Sequence, residues 1–328
     1  MENSNDNDAP AERSSDERNE DFDNSNYDEE ELSDESGYGP ELSEHMMLLQ
    51  LKGNDPNVSS LYAHWNANSY VNNVDWREEG GYIGDNTHLK KAIIYVSDTS
   101  YQPNGYQIDG LVQLNFSAFC KGLVRNRSIR RLHIVGCRCM VLLMEILSPF
   151  LEQNSHLSHL VINCCSMGCS MDTDATRLLV SALSNRRSKS SLRRVELVSC
   201  AIGGTESVEL IASLNQHCNL VQLCLGGNQI GLNRCVELVK LLQTSSRLKE
   251  LNLDNSGIDD ECIDVMISPL ANNKSLRKLS LSQNEDITAD GWQTFSALLK
   301  DPNSLLEALY LSKTGLDDQG AAVIGNAL

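Results

Sequence analysis

The densest group of side chains that could bind a metal ion lies between residues 156 and 169. It contains His156, His159, Cys164, Cys165 and Cys169, and imidazole and thiolate groups are the ligands that structural zinc prefers. Structural zinc sites often draw two ligands from a C-x-x-C pair, and the sequence has no such pair. The sequence therefore predicts no metal site, and the cysteines need another explanation.

Motifs for catalysis and nucleotide binding are absent from the sequence as well. The glycine pairs 203–204 and 226–227 lack the Lys-Ser/Thr that follows the glycines of a phosphate-binding loop. Neither a Gly-x-Ser-x-Gly elbow nor a His-Glu-x-x-His helix occurs. We therefore predict that the chain is not an enzyme and that it requires no cofactor.

The histidines and cysteines lie within a repeated pattern of apolar residues, and this pattern determines their places in the fold. The spacing is L-x-x-L-x-L-x-x-(N/C)-x-(L/I), and it starts at Leu89, Ile129, Leu157, Leu192, Leu220, Leu248, Leu276 and Leu306. Successive starts differ by 40, 28, 35, 28, 28, 28 and 30 residues, and 28 lies within the range of leucine-rich repeats. Cys137, Cys165 and Cys200 take the ninth position, where a small polar group caps the backbone of a turn, so packing explains them.

Each repeat is expected to contain a short strand followed by a helix. The motif leucines alternate, as they do on the buried face of a strand. Further apolar residues lie four apart, as on one face of a helix; these pairs are Leu210 and Leu214, Leu238 and Leu242, Met266 and Leu270, and Phe295 and Leu299. The sequence thus predicts an open α/β horseshoe solenoid of about eight repeats, with a parallel sheet on the concave face and helices on the convex face.

The 28-residue period, the Asn or Cys at the ninth position and the helical second half resemble the ribonuclease-inhibitor-like leucine-rich repeats. The resemblance covers roughly residues 89–328. It is specific for the fold and not for the function, because this family includes enzyme inhibitors, immune sensors and GTPase activators. Since its members generally bind another protein with the concave face and the loops at its rim, the resemblance implies a non-catalytic interaction module, either a scaffold or a sensor.

The outward-facing strand residues are therefore the candidate protein-binding site. Residues at the third, fifth and seventh motif positions face outwards, and they mix both charges with apolar groups, which suits a specific protein partner better than a polyanion. The site residues predicted from these positions are Arg131, His133, His159, Asn163, Arg194, Glu196, Glu250, Asn252, Asp254, Lys278 and Tyr310. The identity of the partner cannot be obtained from the sequence.

Two loops depart from the 28-residue register. An excess of 12 residues falls in the loop 95–111, where a Pro-Asn-Gly turn is flanked by tyrosines. Tyrosine supplies rigid amphipathic contact area, so Tyr101 and Tyr106 are predicted as rim residues of the site; an ordinary solvated insertion is the alternative. The second excess ends in the basic run 186–189, which we interpret as a solvated loop, with a nuclear-import signal as the alternative.

The acidic residues are concentrated at the N-terminus. Residues 1–45 carry 17 acidic and two basic side chains and few large apolar ones, so we predict a disordered acidic tail. Residues 46–87 are predicted as an irregular N-terminal cap and residues 88–328 as the repeat domain, whose C-terminal end looks truncated. The tail is either a solubilising polyanion or a segment that folds back on Arg131, Arg194 and Lys278 and competes with an acidic partner.

Composition also limits the partners and the location. The net charge of −18 leaves only −3 for residues 46–328, without the basic footprint of a nucleic-acid-binding protein. No apolar run approaches the length of a membrane helix, and the acidic N-terminus does not resemble a secretory signal. Eleven cysteines without a disulfide framework indicate reduced thiols. We predict a monomeric cytoplasmic protein, with the nucleus as the alternative.

Two other functions stay open at this point. One is a GTPase activator similar to the Ran-activating leucine-rich proteins, although their acidic tail follows the repeats and this one precedes them. The other is a substrate receptor of a ubiquitin ligase, which would need an adaptor-binding helical domain that residues 46–87 do not show. A stimulated GTP-hydrolysis assay tests the first, and co-purification of ligase subunits tests the second.

Overall fold

The computed structural model describes residues 49–66, 76–97, 110–136, 140–164, 171, 173–186, 191–202 and 205–327. All of these belong to the compact unit formed by residues 44–328. The predicted acidic tail lies outside the described residues, and so do Tyr101 and Tyr106 of the long loop.

Strands and helices alternate along the described chain. In order, the elements are β1 (Ser60–Asn66), α1 (Trp76–Asp85), β2 (Lys91–Ser97), α2 (Gly110–Arg125), β3 (Arg131–Val135), α3 (Met140–Gln153), β4 (His159–Asn163), α4 (Thr173–Ser184), β5 (Arg194–Val198), α5 (Glu206–Leu214), β6 (Gln222–Cys224), α6 (Gly231–Thr244), β7 (Glu250–Asn252), α7 (Asp260–Asn272), β8 (Lys278–Ser280), α8 (Ala289–Lys300), β9 (Ala308–Tyr310) and α9 (Asp318–Gly325). The strands form one open parallel sheet in the order β1 to β9. This confirms the predicted α/β solenoid.

The motif leucines form the core between the sheet and the helices. In β3, β4 and β5 every second residue is buried, and the register aligns Leu132 with Leu160 and Ile134 with Ile162. The predicted helical residues pack on the same core, with one difference in α8. There Phe295 and Leu298 are buried, and Leu299 is only partly covered. Because each repeat covers its neighbour, the core is continuous along the solenoid.

Asparagines at the ninth motif position tie neighbouring repeats together. The side-chain amide of Asn228 donates to the carbonyl oxygens of Leu197 at 2.6 Å and Leu225 at 2.8 Å, and its oxygen accepts from the backbone amide of Ile202 at 3.1 Å. Asn284 makes the equivalent bonds two repeats later, at 2.9, 2.8 and 3.0 Å. These bonds satisfy buried backbone groups that the turn after each strand would leave unpaired.

The described cysteines are free thiols, and most are buried in the core. Cys200 occupies the ninth position of the β5 repeat, and its thiol donates to the carbonyl oxygens of Ile162 and Val198, both at 3.4 Å. The thiol therefore bonds to carbonyls, whereas the sequence predicted bonds to backbone amides. Packing accounts for Cys200, as expected.

The segment predicted as an irregular cap contains one more strand and helix. β1 pairs with β2 in the same parallel register as the other strands, so that Leu61 lies beside Ala92 and Ala63 beside Ile94. Leu61 and Ala63 are buried. A degenerate motif, Val58-x-x-Leu61-x-Ala63, therefore starts 31 residues before Leu89. The segment covers the end of the sheet as a cap would, but it does so with regular structure.

The start of the basic run 186–189 is not a solvated loop. Arg186 is 2 % exposed, and its guanidinium donates to the carbonyl oxygens of Leu151 at 2.5 Å and Leu157 at 3.0 Å and to Ser191 Oγ at 2.9 Å. In other repeats a short asparagine does similar work; Asn126 donates to the Ile83 carbonyl at 2.7 Å and Asn273 to the Leu242 carbonyl at 2.6 Å. We infer that the inserted residues let an arginine replace the asparagine. Residues 187–190 lie outside the described part.

Candidate functional site

The outward-facing strand residues line up in rows across the sheet. The row at the third motif position runs through Lys91, Arg131, His159 and Arg194, which are neighbours in the strand register. Adjacent strands lie about 4.8 Å apart, so this row spans about 14 Å. We call the outward residues of β1–β5 the N-terminal half of the face and those of β6–β9 its C-terminal half.

The N-terminal half carries most of the positive charge. Lys91, Arg131 and Arg194 are all partly exposed. Glu196 is the only acidic residue within β2–β5, and its carboxylate forms an ion pair with Arg194. A single carboxylate against three cations leaves a positive potential on this half of the face.

Two histidines, His159 in this row and His133 in the fifth-position row beside it, are neutral at pH 7. Burial, followed by the charges of Lys91, Arg194 and Arg131, lowers the pKa of His133 from 6.5 to about 4. Burial and the same two arginines lower the pKa of His159 to about 3. His159 Nδ1 also lies 2.8 Å from Ser158 Oγ. The neutral imidazoles show how unfavourable another positive charge would be at this place.

Apolar and aromatic side chains accompany the basic ones. In the fifth-position row Tyr62 is 44 % exposed, Ile93 is buried and Val161 is partly exposed. Val135 and Val198 at the seventh position are also partly exposed. The N-terminal half therefore combines an exposed tyrosine, aliphatic groups and arginines, which is the composition typical of protein interfaces.

A second line of cations was missed by the sequence analysis. Lys90, Arg130 and Arg193 are exposed, and their backbones lie along the edge where β2, β3 and β5 begin. The amide of Arg130 donates to the Lys90 carbonyl at 2.8 Å, and Ser158 links Arg130 to Arg193 in the same way. We call these three residues the basic edge. In the sequence the basic edge is indicated by the dipeptides Lys-Lys and Arg-Arg, which occupy motif positions two and three.

The C-terminal half satisfies its charges internally. Glu250 is 4 % exposed; its carboxylate accepts from Gln222 Nε2 at 2.6 Å and pairs with Lys278 Nζ at 3.2 Å. The predicted site residues Glu250 and Lys278 therefore bond to each other across neighbouring strands.

Asp254 is the centre of a second closed group. Its carboxylate accepts from the Ser280 hydroxyl, from the Ser282 amide at 2.9 Å and from Asn252 Nδ2 at 3.0 Å. Burial raises the pKa of Asp254 above its usual 3.8, although these three bonds oppose that rise. Asn252 and Asp254 are each 8 % exposed. Little of these two predicted site residues is therefore open to a partner.

The geometry offers little support for reaction chemistry. Cys224 lies on the outward face, but burial raises the pKa of its thiol to about 12, so it is protonated at neutral pH. Among the described residues no group of three His, Cys, Asp or Glu side chains could hold a metal ion. Cys165 and Cys169 of the first candidate group lie outside that part of the chain.

Comparisons with known proteins agree with the repeats. A family model described as Leucine Rich repeat matches residues 272–296. The chain is a leucine-rich repeat protein. Human NACHT, LRR and PYD domains-containing protein 3 is 27 % identical over 188 residues, which cover 57 % of this chain and 17 % of that protein. Human NACHT, LRR and PYD domains-containing protein 14 is 25 % identical over 199 residues, or 60 % of this chain and 18 % of that protein.

This leucine-rich repeat protein thus matches under a fifth of the length of these relatives. A solved structure, the complex of Rad7 and Elc1 in yeast, aligns with a TM-score of 0.52 at 16 % identity. That alignment covers 86 % of this chain and 63 % of the other, and it supports the fold alone. None of the described helices is long and apolar enough to cross a membrane.

Proposed function

We propose that this leucine-rich repeat protein is a non-catalytic interaction module, a scaffold or sensor, that binds another protein on the N-terminal half of its concave face. The observation that carries the proposal is the contrast between the two halves. Glu250, Asn252 and Asp254 bond to their own neighbours. In the N-terminal half, by contrast, Tyr62 is 44 % exposed, and Lys91, Arg131 and Arg194 are partly exposed.

The exposed groups suit a binding surface on energetic grounds. Tyr and Arg contribute a large share of the binding free energy at protein interfaces, because they combine apolar area with directed hydrogen bonds. Tyr62, Arg131 and Val161 lie on β1, β3 and β4, which span three strand spacings or about 14 Å, so one partner can contact all three. His133, His159 and Asn163 belong to the same proposed surface. Tyr310 lies on β9 in the C-terminal half and stays a separate prediction, as do Tyr101 and Tyr106 for the rim.

The other functional hypotheses are weaker. The comparisons favour neither a Ran-type GTPase activator nor a ubiquitin-ligase substrate receptor. The relatives match this chain through a region of under a fifth of their length, so their activities are not transferred to it. A monomeric state and a cytoplasmic or nuclear location remain predictions from the sequence.

Affinity capture from native lysate with the full chain as bait tests the proposal. A second bait carries Tyr62→Ala and Val161→Ala, which shorten two outward side chains of the N-terminal half. A third carries Leu232→Ala and Val236→Ala on α6, where the side chains are 37 % and 43 % exposed. The third bait is matched in the kind of truncation and differs in its place on the solenoid.

We expect quantitative mass spectrometry to identify a protein that the first and third baits retain and the second loses by about tenfold or more. Circular dichroism of the three baits should be the same, which shows that the fold is unchanged. If all three baits retain the same proteins in the same amounts, the N-terminal half of the concave face is not the binding surface.

A further inference from the structure

We propose that the partner contributes an acidic segment with apolar side chains, and that this segment lies across β2–β5 with its carboxylates against the basic edge. The inference rests on the proposed function, because it names the chemistry of the partner at the same surface. The proposed partner is a polypeptide, and preferential binding of a nucleic acid at the same edge would contradict the proposal.

Charge is the first reason for an acidic partner. The basic edge and the third-position row together place six cations at the start of β2, β3 and β5; these are Lys90, Lys91, Arg130, Arg131, Arg193 and Arg194. Within β2–β5 only Glu196 opposes them, and it is already paired with Arg194. A ligand that brings several carboxylates to this edge therefore gains favourable electrostatic energy, most strongly at low salt.

The short spacing between cations and apolar groups is the second reason. Val161 lies in register between His133 and Glu196, two residues along the strand from the third-position row. An extended segment that alternates acidic and apolar residues can place the two kinds of side chain on these neighbouring rows. A purely anionic ligand would leave Tyr62, Val135 and Val198 without contacts.

The same rows favour a polypeptide over a nucleic acid. Single-stranded nucleic acids bind where aromatic side chains stack with successive bases along a continuous basic groove. Here the third-position row is interrupted by His159, which is neutral because its pKa is lowered to about 3. Four of the eight fifth- and seventh-position residues of β2–β5 are aliphatic, namely Ile93, Val135, Val161 and Val198.

Fluorescence anisotropy of a labelled peptide with the full chain tests this inference. The probe contains four Asp-Glu-Leu-Ser repeats, and a second peptide of four Asn-Gln-Leu-Ser repeats has the same length without the charge. We expect the acidic probe to bind at least about tenfold more tightly at low salt, with the difference reduced at high salt.

Matched charge reversals place the binding on the basic edge. One variant carries Lys90→Glu, Arg130→Glu and Arg193→Glu, all at exposed positions. The control carries Arg247→Glu, Lys274→Glu and Lys300→Glu, which are also exposed and change the net charge by the same amount. We expect the first variant to weaken binding of the acidic probe about tenfold or more and the control by less than about threefold.

Three results would overturn the inference. They are equal losses in both variants, equal binding of the charged and neutral peptides, and tighter binding of a labelled oligo-dT whose affinity falls with the basic-edge variant. If one of these occurs while the lysate partner is still lost with Tyr62→Ala and Val161→Ala, the proposed function holds and only the acidic partner is wrong. If that partner also persists, the proposed function fails independently.

Discussion

The two halves of the concave face are built from the same repeat and yet have opposite character. β1 and β2 have seven residues, β3–β5 have five, and β6–β9 have three. In the N-terminal half the outward residues combine three long cations with apolar and neutral polar groups, and most of those described are partly exposed, whereas in the C-terminal half many are short or paired and buried. The repeat motif therefore determines the core. The outward side chains determine whether a half is open, with side chains exposed to a partner, or closed, with polar groups paired to each other.

Side-chain length gives a physical reason for the difference. Asp254, Ser280 and Ser282 are short enough to bond across one strand spacing and to the backbone, so their polar groups are satisfied without water. Arg131 and Arg194 are partly exposed, because long cationic side chains usually keep their charged ends in contact with water. A closed half contributes stability and an open half offers contacts, so the two halves divide these roles along one sheet.

The largest difference between the halves is expected for single truncations at the seventh motif position. Asp254→Ala removes the acceptor of three hydrogen bonds and should lower the free energy of unfolding by about 3 kcal/mol. Asn163→Ala, at the same position of β4, should cost less than about 1 kcal/mol, because Asn163 Oδ1 has no hydrogen-bond partner within the described structure. Urea denaturation followed by circular dichroism measures both.

Equal midpoints and equal slopes in the urea denaturation of Asp254→Ala and Asn163→Ala would contradict the proposed difference between the two halves. Asp254→Asn is a useful third variant, since the amide keeps an acceptor and avoids a buried charge. We expect it to lie within about 1 kcal/mol of the natural chain at pH 7. A large loss for Asp254→Asn would show that the charge itself, not the hydrogen bonds, stabilises the C-terminal half.

A smaller difference is expected between the loops that lead into the two halves. Arg186 bonds to the carbonyl of Leu151 in the preceding repeat and to that of Leu157 at the start of its own repeat, and Arg186→Ala should lower the free energy of unfolding by about 2 kcal/mol. The guanidinium is buried, which lowers its pKa to about 10, and relief of that burial offsets part of the loss.

Arg247→Ala is the control for this loop, because Arg247 is an exposed arginine and its loss should change stability by less than about 0.5 kcal/mol. Arg186→Lys should not restore stability, since one ammonium group does not reproduce the planar fork of the guanidinium. If Arg186→Ala and Arg247→Ala behave alike in urea, the arginine does not replace the asparagine in this repeat.

The core of the solenoid could be predicted from the sequence because its signals are local. In the repeats that begin at Leu220 and Leu276 the apolar positions and the asparagine follow the motif closely, and the structure has the expected strands there. β1 was missed because Val58 and Ala63 weaken the motif. Its strand becomes evident only through pairing with β2, which is not a local property.

The candidate site could be predicted only as a set of positions. Alternation along each strand showed which residues face outwards, but not that Glu250 would pair with Lys278 or Asp254 with Ser280. Those contacts join residues 28 and 26 positions apart, and they depend on which side chains meet across the sheet. The basic edge was readable in principle, since position two of the motif lies at the start of each strand.

The last contrast concerns acid, and its sign should differ between the halves. His133 and His159 have folded-state pKa values of about 4 and about 3, below the ordinary value of about 6.5. As the pH falls from 6.5 towards 4, the unfolded chain binds protons that the folded chain does not, so the N-terminal half loses stability. Asp254 has a raised pKa, so it binds its proton more readily when folded and opposes this loss in the C-terminal half.

Hydrogen exchange at pH 7 and pH 5, corrected for intrinsic rates, measures the two halves separately, because repeats of a solenoid open locally. We expect amides of β3 and β4 to lose protection on acidification and those of β7 and β8 to lose less or gain. His133→Gln with His159→Gln should remove the pH dependence in β3 and β4 alone. If that double variant changes nothing while Asp254→Asn alters both halves, the two halves are coupled into one cooperative unit, and the division of roles between them is wrong.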